Sequence, residues 1–273
     1  MSFVYDGEVK LWYEITGSSG PVIVQTGGFG LLHDQFTPVT PLLAKEHRVL
    51  NWNYRGAGQS DRSLHQGIGL DRWVDDLEFI LDQLDLRQVH LWGTSTGAHI
   101  SVRYAARYPQ RVRTLLTYPT VKTNQASRAG MAAFLTVTET FGYEALAKVT
   151  QWLGSGKDHV FDEKGNALAK HEAESFRRNF DIDDIAHTLD VFSSCNLLAD
   201  VEKLTIPVLL LVGGSGHMGA KARGVAKDIE TFQKLCPQTE IEIIERGGGT
   251  YCMLEYPEET ANAVGAWIAR HGD

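Results

Sequence analysis

The sequence has little that would suit an extracellular, metal-binding or nucleic-acid-binding protein. Its three cysteines (Cys195, Cys236 and Cys252) are widely spaced and form no metal-ligand pattern, and so sparse a set is typical of a reducing compartment. The formal net charge is −8 at pH 7, whereas binding of phosphate needs a basic face. We therefore expect a cytoplasmic protein with no metal, no cofactor and no nucleic-acid partner.

Long hydrophobic runs are also missing. The longest apolar run, 208–212, suits a buried strand and falls far short of the roughly 20 residues that cross a bilayer. The first ten residues, MSFVYDGEVK, have neither the basic nor the apolar segment of a signal peptide. We expect neither a secretion signal nor a membrane partner.

Short apolar strands alternate with amphipathic helices through most of the chain. Such alternation is typical of a mainly parallel sheet with helices on both faces, an α/β fold. From 122 to 200 this alternation of strands and helices ends, and the residues show helical periodicity with many aromatic side chains. The sequence therefore predicts an α/β core from 1–121 and 201–273 and a helical segment at 122–200. The predicted strands are 9–15, 21–25, 48–53, 88–92, 113–118, 207–212 and 240–244, and the predicted helices are 71–84, 97–107 and 257–269.

The motif Gly93-Thr94-Ser95-Thr96-Gly97 lies between a predicted strand and a predicted helix. In G-x-S-x-G the serine occupies a sharp strand-to-helix turn, and a β-carbon at either glycine would collide with the neighbouring strand or helix. The turn exposes the serine hydroxyl at a helix N-terminus, where backbone N–H groups favour a developing oxyanion. Ser95 is therefore the candidate nucleophile.

Three further landmarks appear in a fixed order around this motif: TGGFG at 26–30, YRGAGQSD at 54–61 and LEYPEE at 254–259. With the motif and the helical segment, they make the chain resemble the α/β-hydrolase family over nearly its whole length. The resemblance implies that 122–200 forms a helical cap. It also implies an oxyanion hole made by the backbone N–H groups of Thr96 and of Gly28 or Phe29.

The chain departs from this family at the partners of the serine. The family usually carries its acid as V-G-x-x-D after the strand matching 207–212, where this sequence has Gly216. Thr250 occupies the position of the family's histidine, and a one-residue difference in the loop would give that position to Gly249. Serine is a weak nucleophile without a base, so simple ester hydrolysis should be very slow. Gly216→Asp together with Thr250→His should raise it.

Other histidines were considered as the base. His217 is the best placed, because its loop borders the expected pocket, and it is the candidate catalytic partner of Ser95. The segment 26–30, which contains Gly28 and Phe29, is called the oxyanion loop below. His33, followed by Asp34, comes after this loop and could also face the cavity. His99 lies one turn from Ser95 on the following helix, where packing against the sheet is the simpler interpretation.

A dinucleotide-binding alternative rests on the spacing of Gly214, Gly216 and Gly219 before a predicted helix, with Glu245 as the ribose-binding acid. This fingerprint normally opens the first βαβ unit of its domain, whereas here it comes in the last third of the chain.

Three functions of a hydrolase-like fold remain open. The first is an enzyme that acts on a small or mid-sized apolar carbonyl or ester compound by atypical hydrolysis or by non-hydrolytic chemistry, using Ser95 and the oxyanion hole. The second is a non-catalytic protein that binds a ligand or a protein partner. The third is an inactivated variant of an ordinary esterase or lactonase. The substrate and the oligomeric state are not readable from the residues.

Overall fold

The structure is a computed structural model that describes residues 2–62, 68–122, 125–159 and 162–271. The predicted core and cap ranges also include 1, 63–67, 123–124, 160–161 and 272–273, which lie outside the described residues.

In the described residues one eight-stranded sheet forms the centre of the molecule, in the order β1-β2-β4-β3-β5-β6-β7-β8. β1 and β2 pair antiparallel, β2 pairs antiparallel with β4, and all the following pairs are parallel. The strands are β1 (Ser2–Asp6), β2 (Val9–Thr16), β3 (Val22–Thr26), β4 (Arg48–Trp52), β5 (Val89–Gly93), β6 (Val112–Thr117), β7 (Val208–Ser215) and β8 (Thr239–Gly248).

Helices cover the sheet and fill the long segment between β6 and β7. The core helices are α1 (Thr40–Leu43), α2 (Leu70–Gln83), α3 (Thr96–Arg107), α8 (Leu198–Glu202), α9 (Arg223–Leu235), α10 (Cys252–Glu255) and α11 (Pro257–His271). The segment 125–193, which lies between β6 and α8 and is hereafter called the helical insert, contains α4 (Gln125–Phe141), α5 (Tyr143–Gly154), α6 (Glu163–Asn179) and α7 (Ile182–Ser193). Short 3₁₀ turns occur at Leu32–Phe36, Pro109–Arg111 and Lys157–His159.

Both faces of the sheet are buried, as the continuous apolar strands predict. Alternate residues of β3 separate into two cores, since Val22 and Val24 pack on one face and Ile23 on the other. Leu91 and Trp92 of β5 divide in the same way. Alternating side chains of a strand point to opposite faces, and helices cover each one. The predicted α/β fold with a mainly parallel sheet is therefore confirmed.

A carboxylate fixes the end of β8, where the chain enters the site. Glu255, from the LEYPEE sequence, is buried and accepts hydrogen bonds from the amide of Gly248 (2.6 Å) and from the amide of Gly156 (3.0 Å) in the helical insert. A buried carboxylate that accepts two backbone N–H groups holds them in one geometry. The insert and the C-terminal edge of the sheet are thereby tied together beside Thr250.

Candidate active site

Ser95 lies on a strained turn between β5 and α3. Its backbone angles are φ 52° and ψ −123°, a combination that non-glycine residues rarely adopt. Both flanking glycines are required by close packing. A β-carbon on Gly93 would lie 2.3 Å from the carbonyl oxygen of Gly97, and one on Gly97 would lie 1.9 Å from the carbonyl oxygen of Thr26. The turn thus places the Ser95 side chain at the C-terminal edge of the sheet.

The loop after β3 approaches Ser95 closely. A β-carbon on Gly28 would lie 2.5 Å from Cβ of Ser95 and 3.0 Å from its Oγ, so only glycine allows this approach. Thr96 is the first residue of α3, and its N–H therefore has no acceptor within the helix. The Gly28 amide, in contrast, donates to Oε1 of Gln35 at 3.0 Å.

Gln35 changes the expected oxyanion hole. Its Nε2 donates to the carbonyl oxygen of Thr250 at 2.7 Å, so one buried amide side chain connects Gly28 to the position of the family's histidine. The expectation that Gly28 offers a free donor is corrected, because Gln35 occupies that N–H. The amides of Phe29 and Thr96 remain the candidate donors.

A cavity of about 120 Å³ opens onto Ser95 between the sheet edge and the helical insert. Among the residues that line it in the described part of the chain there is no histidine, lysine or arginine. Its lining residues are Phe29, Leu31, Gln35, Ser95, Thr96, Met131, Phe134, Thr150, Leu153, Glu172, Thr188, Leu189, Phe192, Met218, Thr250 and Tyr251. The site is a mainly apolar cavity with few polar groups, which is typical of small-molecule sites.

The ionisable carboxyl group in this cavity is Glu172 of α6. Its side chain is buried, and Oε1 accepts a hydrogen bond from the hydroxyl of Tyr251 at 2.5 Å. Oε2 is buried without a hydrogen-bond partner among the described residues. The hydroxyl of Thr150, also nearby, donates to the carbonyl oxygens of its own helix. Burial raises the pKa of Glu172 to about 8, although the Tyr251 hydrogen bond opposes the rise.

The acid position of the family is closed to a side chain. Gly216 has φ +83°, and a β-carbon there would lie 2.1 Å from the carbonyl oxygen of Ser155 in the helical insert. The alternative histidine position is closed as well, because a β-carbon on Gly249 would lie 1.8 Å from the carbonyl oxygen of Met218. Thr250 is buried and lines the cavity. Backbone atoms therefore occupy the space that a side chain at the acid position would need.

The structure does not bring His217 to Ser95. Its ring lies 4.0 Å from that of Trp152, centroid to centroid, and the residue is exposed in a surface pocket beside Glu245. The placement differs from the expectation because β7 extends to Ser215, which carries the following loop outward.

His33 and Asp34 do not line the cavity either. His33 packs on Trp12, and Asp34 accepts a hydrogen bond from Ser175 of α6 at 2.7 Å. Burial lowers the pKa of His33, an effect that the neighbouring Asp34 opposes.

His99 lies beside the turn that carries Ser95. Its Nδ1 is 3.1 Å from the carbonyl oxygen of Ser95, and its Nε2 is 3.4 Å from Oγ1 of Thr120. With Ser95 it lines a second pocket of about 450 Å³. Burial lowers the pKa of His99 to about 4, so the ring is neutral at pH 7. Its Nδ1 proton is directed to the backbone, which fixes its orientation.

The dinucleotide alternative finds no support in the topology. In open α/β sheets the dinucleotide binds where the strand order reverses, which here is around β3. β7 lies instead next to the edge strand β8, and Glu245 pairs with Lys221 at 2.9 Å on the surface.

The sequence did not predict two residues of the site, Glu172 and Gln35. Glu172 lies in a helix rich in charged residues, where a glutamate ordinarily faces solvent. A weak signal existed in its spacing, since it falls on the same helical face as the buried Ala169 and Phe176. Gln35 carried no comparable signal, because its partners Gly28 and Thr250 are 7 and 215 residues away in sequence.

The described residues contain neither a candidate membrane span nor a candidate metal site. No helix in the described ranges is long and apolar enough to cross a membrane. Within the same ranges, no group of three or more histidine, cysteine, aspartate or glutamate side chains is arranged to hold a metal ion.

The sequence and the fold both match known proteins. A sequence profile described as the alpha/beta hydrolase fold matches residues 20–249. The chain is 35% identical over 109 residues to the dihydrolipoyllysine-residue acetyltransferase component of the acetoin cleaving system of Pseudomonas putida, a match that covers 40% of this chain and 29% of that protein. It is 31% identical over 166 residues to the 2-hydroxy-6-oxo-2,4-heptadienoate hydrolase of Pseudomonas putida, covering 59% of this chain and 58% of the relative.

The solved structures that share the fold over nearly their full length include two enzymes. The enol-lactonase from Burkholderia xenovorans LB400 gives a TM-score of 0.82 at 17% identity, covering 98% of this chain and 100% of that one. The esterase from Exiguobacterium antarcticum gives 0.84 at 19% identity, covering 98% and 99%. At these identities the likeness concerns the fold alone.

Proposed function

Because the chain belongs to the α/β-hydrolase fold family, we propose that it is an enzyme whose cavity binds a small or mid-sized apolar compound through a carbonyl or ester group. The observation that carries this proposal is the apolar cavity that opens onto Ser95 on its strained turn. The carbonyl oxygen would face the amides of Thr96 and Phe29, with the Ser95 hydroxyl beside it. Backbone N–H groups directed at a carbonyl oxygen stabilise the charge that develops there.

The chemistry is atypical hydrolysis or a non-hydrolytic reaction. Among the described residues, no histidine lines the cavity, so Ser95 has no base there to take its proton. An unactivated serine still donates a hydrogen bond to a carbonyl oxygen. Ser95 therefore polarises the substrate rather than attacking it at the rate of an ordinary esterase.

The ligand is electrically neutral. The relative from Pseudomonas putida is named for a heptadienoate, which is an anion. The cavity residues of the described part include no lysine or arginine to pair with a carboxylate. Burying an unpaired charge costs several kcal/mol, so a neutral compound fits this cavity better.

We propose further that the helical insert acts as the cap of this site and that the protein works in the cytoplasm. The insert supplies Met131, Phe134 and Glu172 to the cavity wall, so a ligand there would be enclosed by it. All three cysteines are buried free thiols, which suits a reducing compartment.

A second candidate, a non-catalytic ligand-binding protein, is favoured by Gln35. Its side chain occupies the Gly28 amide, which a conventional oxyanion hole would keep free. The third possibility, an inactivated variant of an ordinary esterase, is disfavoured by Gly216. There the backbone of Ser155 fills the acid's space, a rearrangement larger than one or two substitutions would produce.

The two candidates differ in what Ser95 does, and ester turnover separates them. Hydrolysis of p-nitrophenyl acetate would be followed for wild type, for Ser95→Ala and for His217→Ala. Removal of triad members leaves roughly 10³–10⁴-fold acceleration over water, so we expect slow but measurable turnover in the wild type. Ser95→Ala should lower it several-fold and His217→Ala should leave it unchanged.

Two other outcomes would contradict the proposed chemistry. Turnover equal in wild type and Ser95→Ala would favour the binding protein. Fast turnover abolished by His217→Ala would make that histidine a displaced base and would contradict the proposed chemistry.

A further inference from the structure

Glu172 is a buried acid that the proposed reaction at Ser95 does not use. It comes from α6 of the helical insert and lines the same cavity as Ser95. One of its oxygens, Oε1, accepts the hydrogen bond of Tyr251, which fixes the carboxyl group in place. The other, Oε2, is buried without a partner among the described residues. Buried polar atoms are rarely left unpaired, and this unpaired oxygen belongs to a side chain that lines the cavity, so a ligand atom there could supply its missing partner.

The charge state of this carboxyl group determines what it can bind. Lysine, arginine and histidine are missing from the described cavity wall, so nothing cationic there stabilises a carboxylate. Tyr251 is the titratable group that faces Glu172, and burial raises its pKa well above the ordinary value, so it stays neutral. The protonated form of Glu172 therefore predominates at pH 7, in agreement with its raised pKa of about 8. A neutral carboxyl group whose Oε1 accepts from tyrosine carries its proton on Oε2 and can donate it.

We propose that Glu172 is a specificity-determining residue whose Oε2–H donates a hydrogen bond to a neutral acceptor oxygen of the ligand. This inference rests on the proposed function, because it assumes a carbonyl compound in the cavity. The ligand is then a ketone, lactone or ester of about benzene size. Apolar cavities of about 150 Å³ hold benzene, and this cavity is similar in volume at about 120 Å³.

Three probes of one shape test the proposal: acetophenone, ethylbenzene and 1-phenylethylamine. They differ in a single group, which is an acceptor oxygen, a methylene group or a cation. Dissociation constants would be measured at pH 7 by titration calorimetry for wild type, Glu172→Gln, Glu172→Leu and the control Glu174→Leu. Glu174 is an exposed residue of the same helix.

The wild type should bind acetophenone about tenfold more tightly than ethylbenzene, since one net hydrogen bond is worth roughly that factor. Glu172→Gln keeps a donor and should keep this preference, as should Glu174→Leu. Glu172→Leu should reduce it, because the hydrogen bond from Oε2 is lost while the amides of Thr96 and Phe29 remain. Because a substitution at a buried position could prevent folding, the wild type is also titrated from pH 6 to 10. Above pH 8 its affinity for acetophenone should fall, and its affinity for ethylbenzene should not.

Three results would overturn the inference. The preference for acetophenone could stay undiminished both in Glu172→Leu and at pH 10, which would remove Glu172 from ligand binding. Tighter binding of 1-phenylethylamine than of acetophenone would mean that Glu172 is a carboxylate for cations. If none of the probes bound the wild type, the proposed ligand class itself would be contradicted, and this inference with it.

Discussion

At the scale of single residues, the site differs from that of an ordinary serine hydrolase through the backbone as much as through side chains. Gly216 stands at the family's acid position with a positive φ, and the carbonyl oxygen of Ser155 lies 2.1 Å from where its β-carbon would be. Gln35 links Gly28 to Thr250, at the family's histidine position. Restoring the missing side chains therefore cannot by itself restore the catalytic geometry.

The first prediction concerns that restoration. Gly216→Asp should destabilise the protein by roughly 2 kcal/mol or more, because it adds strain at positive φ and a backbone clash. Combined with Thr250→His, it should leave p-nitrophenyl acetate turnover near the wild-type rate, in contrast to the expectation from the sequence. Urea unfolding and ester kinetics check both points. Gly224→Asp is the matched control, since a β-carbon there meets nothing within 4 Å. A stable, active double variant would contradict this prediction and would show that the backbone at Ser155 can move to make room for the new side chain.

The second prediction is a pH dependence of stability at Glu172. Its pKa is about 8 in the folded protein and 4.5 as the ordinary value, so between these values the folded state binds more protons than the unfolded state. Stability contributed by Glu172 is therefore complete at the acidic end and is lost as the pH rises towards 8. Relative to Glu172→Gln, the wild type should lose roughly 1.4 kcal/mol per pH unit in this window.

Urea unfolding of both proteins at pH 5, 6, 7 and 8 gives this difference directly. The subtraction removes the contributions of the other carboxyl groups that the two proteins share. A difference that stays constant with pH would mean that Glu172 is ionised in the folded protein.

Sequence reasoning reached Ser95 and missed Glu172, for a physical reason. The sharp strand-to-helix turn at Ser95 needs two glycines within five consecutive residues, so the sequence shows it as a short motif. Glu172 bonds to Tyr251 and Gln35 to Thr250, and both partners are distant in sequence. Whether a residue of the insert is buried depends on how the helices of the insert pack. His217 was misplaced because the loop after β7 turns outward, a tertiary effect that a positional match does not include.

At the scale of elements, α6 is the helix of the insert that contacts the segment just after the oxyanion loop. Asp34, just after that loop, accepts hydrogen bonds from Ser175 (2.7 Å) and Asn179 (3.3 Å) and pairs with Arg178. Burial would raise the pKa of Asp34, but His33, Ser175 and Arg178 together hold it below its ordinary value. Asp34 therefore stabilises the fold above its unfolded pKa, and this contribution is lost as the pH falls through its folded pKa.

The third prediction follows from this contact. Asp34→Ala should destabilise the protein by about 1–3 kcal/mol at pH 7, because it removes the charged acceptor that Ser175 and Asn179 share and the ion-pair partner of Arg178. The loss should concentrate in the insert, so amide hydrogen exchange should accelerate in α6 more than in β5. Asp190→Ala, at an exposed position of α7, serves as the control. Uniform acceleration over the whole chain would contradict the role of Asp34 as the link.

At the scale of the whole molecule, the sequence predicted the α/β architecture because each buried strand needs apolar residues on both faces. The continuous apolar run at 208–212 became part of β7, and the alternating run at 9–15 became β2. β1 (Ser2–Asp6) was not predicted. It is an edge strand with exposed Phe3 and Tyr5, so its residues show no buried face to detect. The relation between the insert and the sheet edge, which shapes the cavity, depended on long-range contacts such as those of Glu255.

We conclude that Ser95 is exposed to a ligand but is not activated as a nucleophile. Mass-spectrometric labelling of Ser95 by a fluorophosphonate probe, followed over time, tests it without any knowledge of the substrate. Because a serine hydroxyl attacks readily only when a neighbouring base takes its proton, we expect labelling at least about 10³-fold slower than in an ordinary serine esterase measured alongside. Rapid, stoichiometric labelling of Ser95 at pH 7 would show that a base reaches it and would contradict the claim.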